Sequence, residues 1–511
     1  MTELLKAPFF YDITLRDGNQ ALKKPWGIEE KEAVFNKLTE LNVNGIEVGF
    51  PGASDMDFEA CQRLSRIAPK NIVISALARC VKTDIRCAID AIKDAPIPRI
   101  HVFLALSPFH MKYVLNKTPE EAHDIAVRAV KYAKEELLKV NPKGQVQFSA
   151  EHFGDSEENL DFVIETLKDV VKAGADVINL PNTVERYRIK PLVDMVNKVY
   201  KALPKDITIA VHHHNDLGMS TASTVESYFA GATQLECSLN GLGERAGNTN
   251  MYEVAIALYN SGVELDLNLE KIYETALLVA QMSKVPIHEK APLIGSDALA
   301  HRSGIHQDGA IKTKDMKKGA YRAIDPKLIG RKDDEKIGFT SQSGKTAIYE
   351  IINHAGYPIS IDEAARISPH VKKEAESVGE VPVKKILEIY FNELFDIKGP
   401  FELISFNLVE ADTFELRFNH NDDYFDVKGI GNGPVDACLN ALSKVGFERT
   451  LSGFEQIAVD ADIVGSGASA ISTIHILGKD NKDIIGRAFD KNTSRANVKA
   501  IFNAMNLAEI D

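Results

Sequence analysis

The chain is short of cysteine. Only five occur among 511 residues (Cys61, Cys80, Cys87, Cys237 and Cys438), and no two stand at CxxC spacing. That pattern excludes a zinc ribbon and a disulfide framework, and it suits buried thiols in a reducing compartment. No uninterrupted apolar run approaches the roughly 18 residues of a membrane span. Nothing ahead of the strand-like run at Phe9 resembles a signal peptide. A cytoplasmic protein with no membrane partner is expected. Basic charge is scarce too: 60 Lys and Arg face 73 Asp and Glu, a formal net charge of −13. A nucleic-acid binder carries the opposite imbalance, so no nucleic-acid partner is expected. An anionic substrate would need positive charge concentrated locally, by a few side chains or a metal.

What is there reads as an ordinary globular protein, with 44% hydrophobic and 26% charged residues. Through residue 260, short apolar runs alternate with amphipathic ones. The strand-like runs are Phe9–Leu15, Gly45–Phe50, Ile72–Leu77, Ile100–Ala105, Val146–Ala150, Val177–Leu180, Ile207–His212 and Gln234–Leu239. Helical patterns lie between them: Glu29–Leu41, a segment opening at Thr118-Pro119-Glu120-Glu121 with a capping box, and Ser156–Ala173 stopping at Gly174. Strands this apolar need cover on both faces, which crossover helices give to parallel sheets. Eight repeats favour a (β/α)₈ TIM barrel over a doubly wound open sheet.

The pattern changes after about residue 265. A helix is expected over 268–283, then a Gly-, His- and Lys-rich stretch from Pro286 to Gly338, then further helices to the Lys398-Gly399-Pro400 break. Beyond it, β-alternation (Phe401–Val409, Phe414–Phe418, Gln456–Ile463, Ala470–Leu477) with helices at Pro434–Val445 and Thr493–Met505 predicts a separate α+β domain with a hint of internal duplication. The expected division is a catalytic barrel over 1–270, a helical linker subdomain over 271–396 and an α+β domain over 397–511.

A barrel carries its chemistry at the C-terminal ends of its strands. Those ends hold Arg16-Asp17, Glu151-His152, Asn182-Thr183, His212-His213-His214 and the Gly-rich run Asn240–Asn248. Side chains two apart on a strand share a face, so His212 and His214 can reach one ion while His213 points elsewhere. Asp17 adds a carboxylate and Asn248 an amide oxygen, a donor set suited to Mn²⁺, Mg²⁺ or Zn²⁺ as a Lewis acid. Arg16 is either an ion-pair partner or a group that meets a carboxylate or a developing oxyanion. Glu151 reads as a general base, an orienter of a ligand, or half of a salt bridge at the mouth. Thr183 reads as a donor to substrate or a helix cap. Asn240–Asn248 is no dinucleotide fingerprint, because it follows the eighth strand. The His301–Gly309 run, with the lysines from Lys312 to Lys318 after it, is expected as a loop able to fold over a barrel mouth.

Five segments recur in order in a known family. They are Thr14-Leu15-Arg16-Asp17-Gly18-Asn19-Gln20-Ala21-Leu22, Glu47-Val48-Gly49-Phe50-Pro51, His212-x-His214-Asn215-Asp216-x-Gly218, Asn240-Gly241-x-Gly243-Glu244-Arg245-x-Gly247-Asn248 and Ser303-Gly304-Ile305-His306-Gln307-Asp308-Gly309. With them the chain resembles the 2-isopropylmalate synthases, metal-dependent Claisen-condensing barrel enzymes. The resemblance implies acetyl-CoA and 2-oxoisovalerate as substrates. It implies a divalent metal on Asp17, His212, His214 and Asn248, with Arg16 and Thr183 on the oxo acid. It sets Glu151 and His306 near the acetyl methyl proton and Tyr321 near the catalytic loop. The His306 and Tyr321 positions come from the partner subunit in that family, which implies a homodimer or higher homo-oligomer. The last domain resembles a leucine-binding regulatory domain, so leucine is the implied effector, and a monovalent cation is a candidate activator. Departures are Asn19 for a common Glu, Arg302 for Glu, Gly486-Arg487-Ala488 for Gly-Arg-Gly, and Lys491-Asn492-Thr493 without the usual Asp. Two other readings are a homocitrate- or citramalate-type synthase and a catalytically silent amino-acid sensor.

Overall fold

The computed structural model describes residues 7–316, 318–332, 336–459, 469–478 and 481–510. They fall into two compact units: residues 1–299 with 325–334, and residues 300–324 with 335–511.

The first unit is a closed barrel of eight parallel strands in sequential order. These are β1 (Phe9–Asp12), β2 (Gly45–Gly49), β3 (Val73–Arg79), β4 (Pro98–Ala105), β5 (Gln145–Glu151), β6 (Val177–Asn182), β7 (Thr208–His213) and β8 (Gln234–Cys237). Closure is made by β1 against β8, with Phe9 opposite Gln234 and Asp12 opposite Cys237. Apolar residues dominate because both strand faces are covered: Ile46, Val48, Ile74, Val102, Phe148, Ile178 and Val211 are all fully buried. The surrounding helices are amphipathic. Ile28–Glu40 buries Val34, Phe35 and Leu38, and Pro119–Val140 starts at the capping box of Thr118 and Glu121. The helix read from Ser156 begins at Leu160 and ends at Lys172, because short 3₁₀ turns occupy Phe153–Asp155 and Glu157–Asn159. Gly174 then takes φ +114°, which a side chain would resist. No helix among the described residues is long and apolar enough to cross a membrane.

In the second unit, the stretch read as loop around His301–Gly309 contains a helix, Gly304–Lys312. Within it Gly309 lets Tyr321 pack close: an added Cβ would lie 2.5 Å from that ring. Helices Lys345–His354, Ile361–Val378 and Val383–Phe395 share a core that includes Phe339, Ile348, Ile367, Val371 and Tyr390. Two three-stranded antiparallel sheets follow: 401–410, 413–420 and 423–430, then 451–459, 469–477 and 483–490. Each sheet precedes a helix, Pro434–Lys444 and Thr493–Ile510, so a β-β-β-α order occurs twice. The strands Asp423–Ile430 and Asp483–Asp490 escaped sequence reading because Gly429 and Gly486 interrupt them. Both glycines lie against helix backbone, where an added Cβ would meet Ala437 O at 2.0 Å and Ala500 O at 2.2 Å. The strand read as Gln456–Ile463 runs Leu451–Val459, and residues 460–463 lie outside the described residues.

Candidate active site

Strand β1 stops at Asp12, and Thr14–Gly18 forms a π-helical turn. On a strand, Arg16 and Asp17 would point to opposite faces; on this turn they meet, with Arg16 Nη1 2.8 Å from Asp17 Oδ1. The turn is braced by Asp12, which accepts from Thr14 N and Oγ1, while Thr14 Oγ1 accepts from Leu239 N across the barrel seam.

Asp17, His212 and His214 each aim one donor atom at a common point, and all three atoms lie within 4.8 Å of one another. The Nε2 atoms of His212 and His214 are 3.2 Å apart. His213, between them, is fully buried on the other face, 3.2 Å from Thr224 Oγ1. A backbone bridge pairs His214 with Asn248, whose Nδ2 donates to Asp17 Oδ2 at 2.5 Å and to Leu242 O at 3.0 Å. Its Oδ1 is buried without a hydrogen-bond partner, as is His214 Nδ1. Gly243 allows this approach, since a Cβ there would stand 2.4 Å from Asn248 Nδ2. Two imidazole nitrogens, a carboxylate and a spare amide oxygen are the donor set that a divalent ion takes.

The electrostatics agree. Burial resists the ionisation of Asp17, but Arg16 and then His212 and His214 outweigh it and hold its carboxyl below the usual range. Burial, with His212 next to it, pushes His214 down to about 3, so it is neutral and free to act as a ligand. Burial raises Glu151 above the ordinary carboxylate range, opposed by His152 and Arg16.

Arg16, Asp17, Glu151, Thr183, His212 and His214 line a cleft of about 300 Å³ that also includes Phe50, Leu77, Phe103, Pro181 and Arg245. Thr183 Oγ1 accepts from His152 N at 3.0 Å, which leaves its own proton for a bound acceptor. Arg245 spans Asp216, through Nε at 2.7 Å, and Thr183 O, through Nη2 at 2.7 Å. The barrel mouth therefore brings together Arg16, Asp17, Glu151, Thr183, His212, His214 and Asn248. His306 and Tyr321 belong to the other unit, where their exposed rings stack at 4.2 Å. In the lysine run, Lys312 pairs with Asp308 at 2.6 Å, and Lys317 lies outside the described residues.

Five buried polar residues in and behind the cleft were given no role from the sequence. Glu47 accepts from Arg16 Nε and faces His101 Nδ1, both at 2.5 Å. Burial opposes the ionisation of Glu47, but Arg16 and His101 hold its pKa down to about 2. His101 Nε2 meets Ser149 Oγ at 2.6 Å, Asn179 donates to Ser149 at 2.8 Å and to Glu236 at 3.2 Å, and Glu236 reaches His212 Nδ1 at 3.2 Å. A signal existed: each is a polar residue in the interior of an apolar parallel strand, where packing alone would place an aliphatic one.

Comparison with known proteins gives matches along the chain. Residues 7–279 match the HMGL-like family, 297–353 the alpha-isopropylmalate synthase post-catalytic domain-like family, and 380–509 the LeuA allosteric (dimerisation) domain. A 2-isopropylmalate synthase 2 of Leptospira interrogans is 57% identical over 372 residues, 73% of this chain and 86% of that protein. The 2-isopropylmalate synthase of Campylobacter hominis is 34% identical over 506 residues, 97% of each chain. That of Pyrococcus furiosus is 34% identical over 509 residues, 97% of this chain and 98% of the other.

Proposed function

The chain belongs to the 2-isopropylmalate synthase family, and from that premise we propose how its barrel mouth condenses acetyl-CoA with 2-oxoisovalerate. The reaction joins the acetyl methyl carbon to the 2-oxo carbon, then hydrolyses the thioester to give 2-isopropylmalate and free CoA. In class it is an acyl transfer in which the acyl group becomes an alkyl group. The observation that carries the reading is the convergence of Asp17, His212 and His214 beside Arg16 and Glu151, with Asn248 Oδ1 left without a partner.

Asp17, His212, His214 and Asn248 would hold a divalent ion, Mn²⁺ or Mg²⁺ on account of the mixed oxygen and nitrogen donors, with Zn²⁺ the alternative. When bound, such an ion supplies the Lewis acidity that makes the 2-oxo carbonyl a good electrophile. Arg16 is anchored by Glu47 through Nε and by Asp17 through Nη1, so its remaining edge faces negative charge as it develops on the former carbonyl oxygen. Thr183 donates to the substrate carboxylate. Glu151, raised by burial, is suited to take the acetyl methyl proton, because a base nearer neutrality removes a C–H proton more readily. Leu77, Phe103 and Pro181 offer apolar contact to a branched side chain.

His306 and Tyr321 fit proton transfer at the mouth of a second copy, which makes the working enzyme a homodimer or larger homo-oligomer. The match of residues 380–509 to an allosteric (dimerisation) domain supports both that assembly and a small effector, with leucine as the candidate. The barrel over 1–270, the linker over 271–396 and the regulatory domain over 397–511 form the working division. Five free cysteines suit a reducing, cytoplasmic setting.

A thiol-release assay with acetyl-CoA and a panel of 2-oxo acids, with and without Mn²⁺ or Mg²⁺, tests this directly. CoA release is expected with 2-oxoisovalerate and only with divalent metal. Release with pyruvate or 2-oxoglutarate alone would move the chain to the citramalate- or homocitrate-type activity, and no release with any acceptor would remove the enzymatic reading.

A further inference from the structure

Glu236 lies on β8 with no exposed surface, and its carboxylate oxygens are surrounded by donors. Oε1 accepts from Gln147 Nε2 at 2.7 Å and Gln234 Nε2 at 3.1 Å. Oε2 accepts from Asn179 Nδ2 and stands against His212 Nδ1, each at 3.2 Å. The orientation of the two glutamine amides is not arbitrary. Arg99 has only donors to give, and its Nη1 is 2.7 Å from Gln234 Oε1 and 3.3 Å from Gln147 Oε1. Both amides must therefore turn their oxygens to Arg99 and their N–H groups to Glu236. Arg99 is itself buried, and Gln145 Oε1 holds its Nε and Nη2 at 3.0 and 2.7 Å.

An acceptor already receiving three amide N–H bonds leaves His212 Nδ1 as the fourth donor. That fixes the imidazole as the Nδ1–H tautomer, with the lone pair on Nε2, the nitrogen that faces His214. We propose that Glu236, oriented by Arg99 through Gln147 and Gln234, is a positioning residue that sets the tautomer and ring orientation of His212 and so the metal affinity of the barrel mouth. The inference rests on the reading of Asp17, His212 and His214 as ligands. A carboxylate behind a ligating histidine is worth about 10–100-fold in metal affinity in comparable sites. The same carboxylate bonds Asn179, which lines the substrate cleft, so the metal cluster and the cleft wall share one anchor.

The test is Mn²⁺ binding to the full chain, followed by electron paramagnetic resonance, in wild type, Glu236→Gln and His212→Ala, with the thermal midpoint of each metal-free chain measured alongside. Wild type is expected to bind Mn²⁺ at this site, His212→Ala to lose it, and Glu236→Gln to bind on the order of 10–100-fold more weakly while still folded. A Glu236→Gln chain with wild-type affinity overturns this inference alone. Wild-type affinity in His212→Ala overturns the ligand assignment beneath it. Should Glu236→Gln fail to fold, the ¹⁵N shifts of His212 in the metal-free wild type decide: Nδ1–H is expected, and Nε2–H refutes the proposal.

Discussion

Two of the places where the described residues bury charge treat it differently. In the second unit, Arg487 and Glu363 form a closed pair: Arg487 Nε and Nη2 meet the two Glu363 oxygens at 2.7 and 3.0 Å, and Nη1 meets Thr473 Oγ1 at 2.7 Å. Glu363 spends what is left on the cap of its own helix, accepting from Ser360 N at 2.7 Å. The barrel instead strings its charges along an open network. From Glu47 through His101, Ser149 and Asn179 to Glu236 the groups are bonded to one another, but the network ends at the mouth on Asn248 Oδ1 and His214 Nδ1, buried and without partners. Leftover bonding capacity, and not burial of charge as such, separates a site from a clamp. A buried pair whose bonds are all made holds structure, whereas buried polar atoms left over beside Asp17, His212 and His214 leave bonding capacity next to a cluster suited to an ion.

The largest effect should come from breaking the open end. His212→Ala is expected to abolish metal binding and to cut CoA release at least about a thousandfold, roughly 4 kcal/mol of barrier, while the chain stays folded. Metal analysis and circular dichroism on one preparation check both halves, and retained metal stoichiometry would refute the contrast. Breaking the closed pair should do the reverse. Glu363→Ala strands a buried guanidinium and should cost the second unit about 3–5 kcal/mol, seen as a lower unfolding midpoint, with the metal content of the barrel unchanged. The smallest effect is the dependence on pH. Burial alone would raise Glu363, but Arg487 outweighs it and holds the carboxyl below its ordinary value. The unfolded chain therefore takes up the proton first, near pH 4.3, so the pair's contribution is complete above about pH 5 and is lost as pH falls below that range. Unfolding midpoints between pH 6 and 3 should drop more steeply for wild type than for Glu363→Gln; parallel curves would show that the pair is not what the acid removes.

Much of this was legible early. Apolar runs separated by amphipathic ones yield a helix-covered parallel sheet, because a parallel strand must be covered on both faces and that requirement is written locally in each run, and the count of eight favours its closure into a barrel. The alternation of His212 and His214 announced a shared face. Arg16 and Asp17 did not, because their meeting depends on a π-helical turn that only the packing of Thr14 against Asp12 and Leu239 produces. Glycine hid two strands, at Gly429 and Gly486, where the reason for glycine is a neighbouring helix and not the strand itself. The role of Glu236 was hidden for a like reason: its meaning lies in Arg99, Gln147, Asn179 and His212, which come from four other strands.

The sequence alone determined the order of the barrel's strands, its closed architecture, and which rim residues have the chemistry to bind a metal and polarise a carbonyl, since periodicity and residue type are local properties. Tertiary structure decided which of those groups meet, how the amides between Arg99 and Glu236 are turned, and which acceptors are left over. Those are properties of closure: β1 must lie against β8 with Phe9 opposite Gln234 before a loop after the first strand and a histidine of the seventh can face one another.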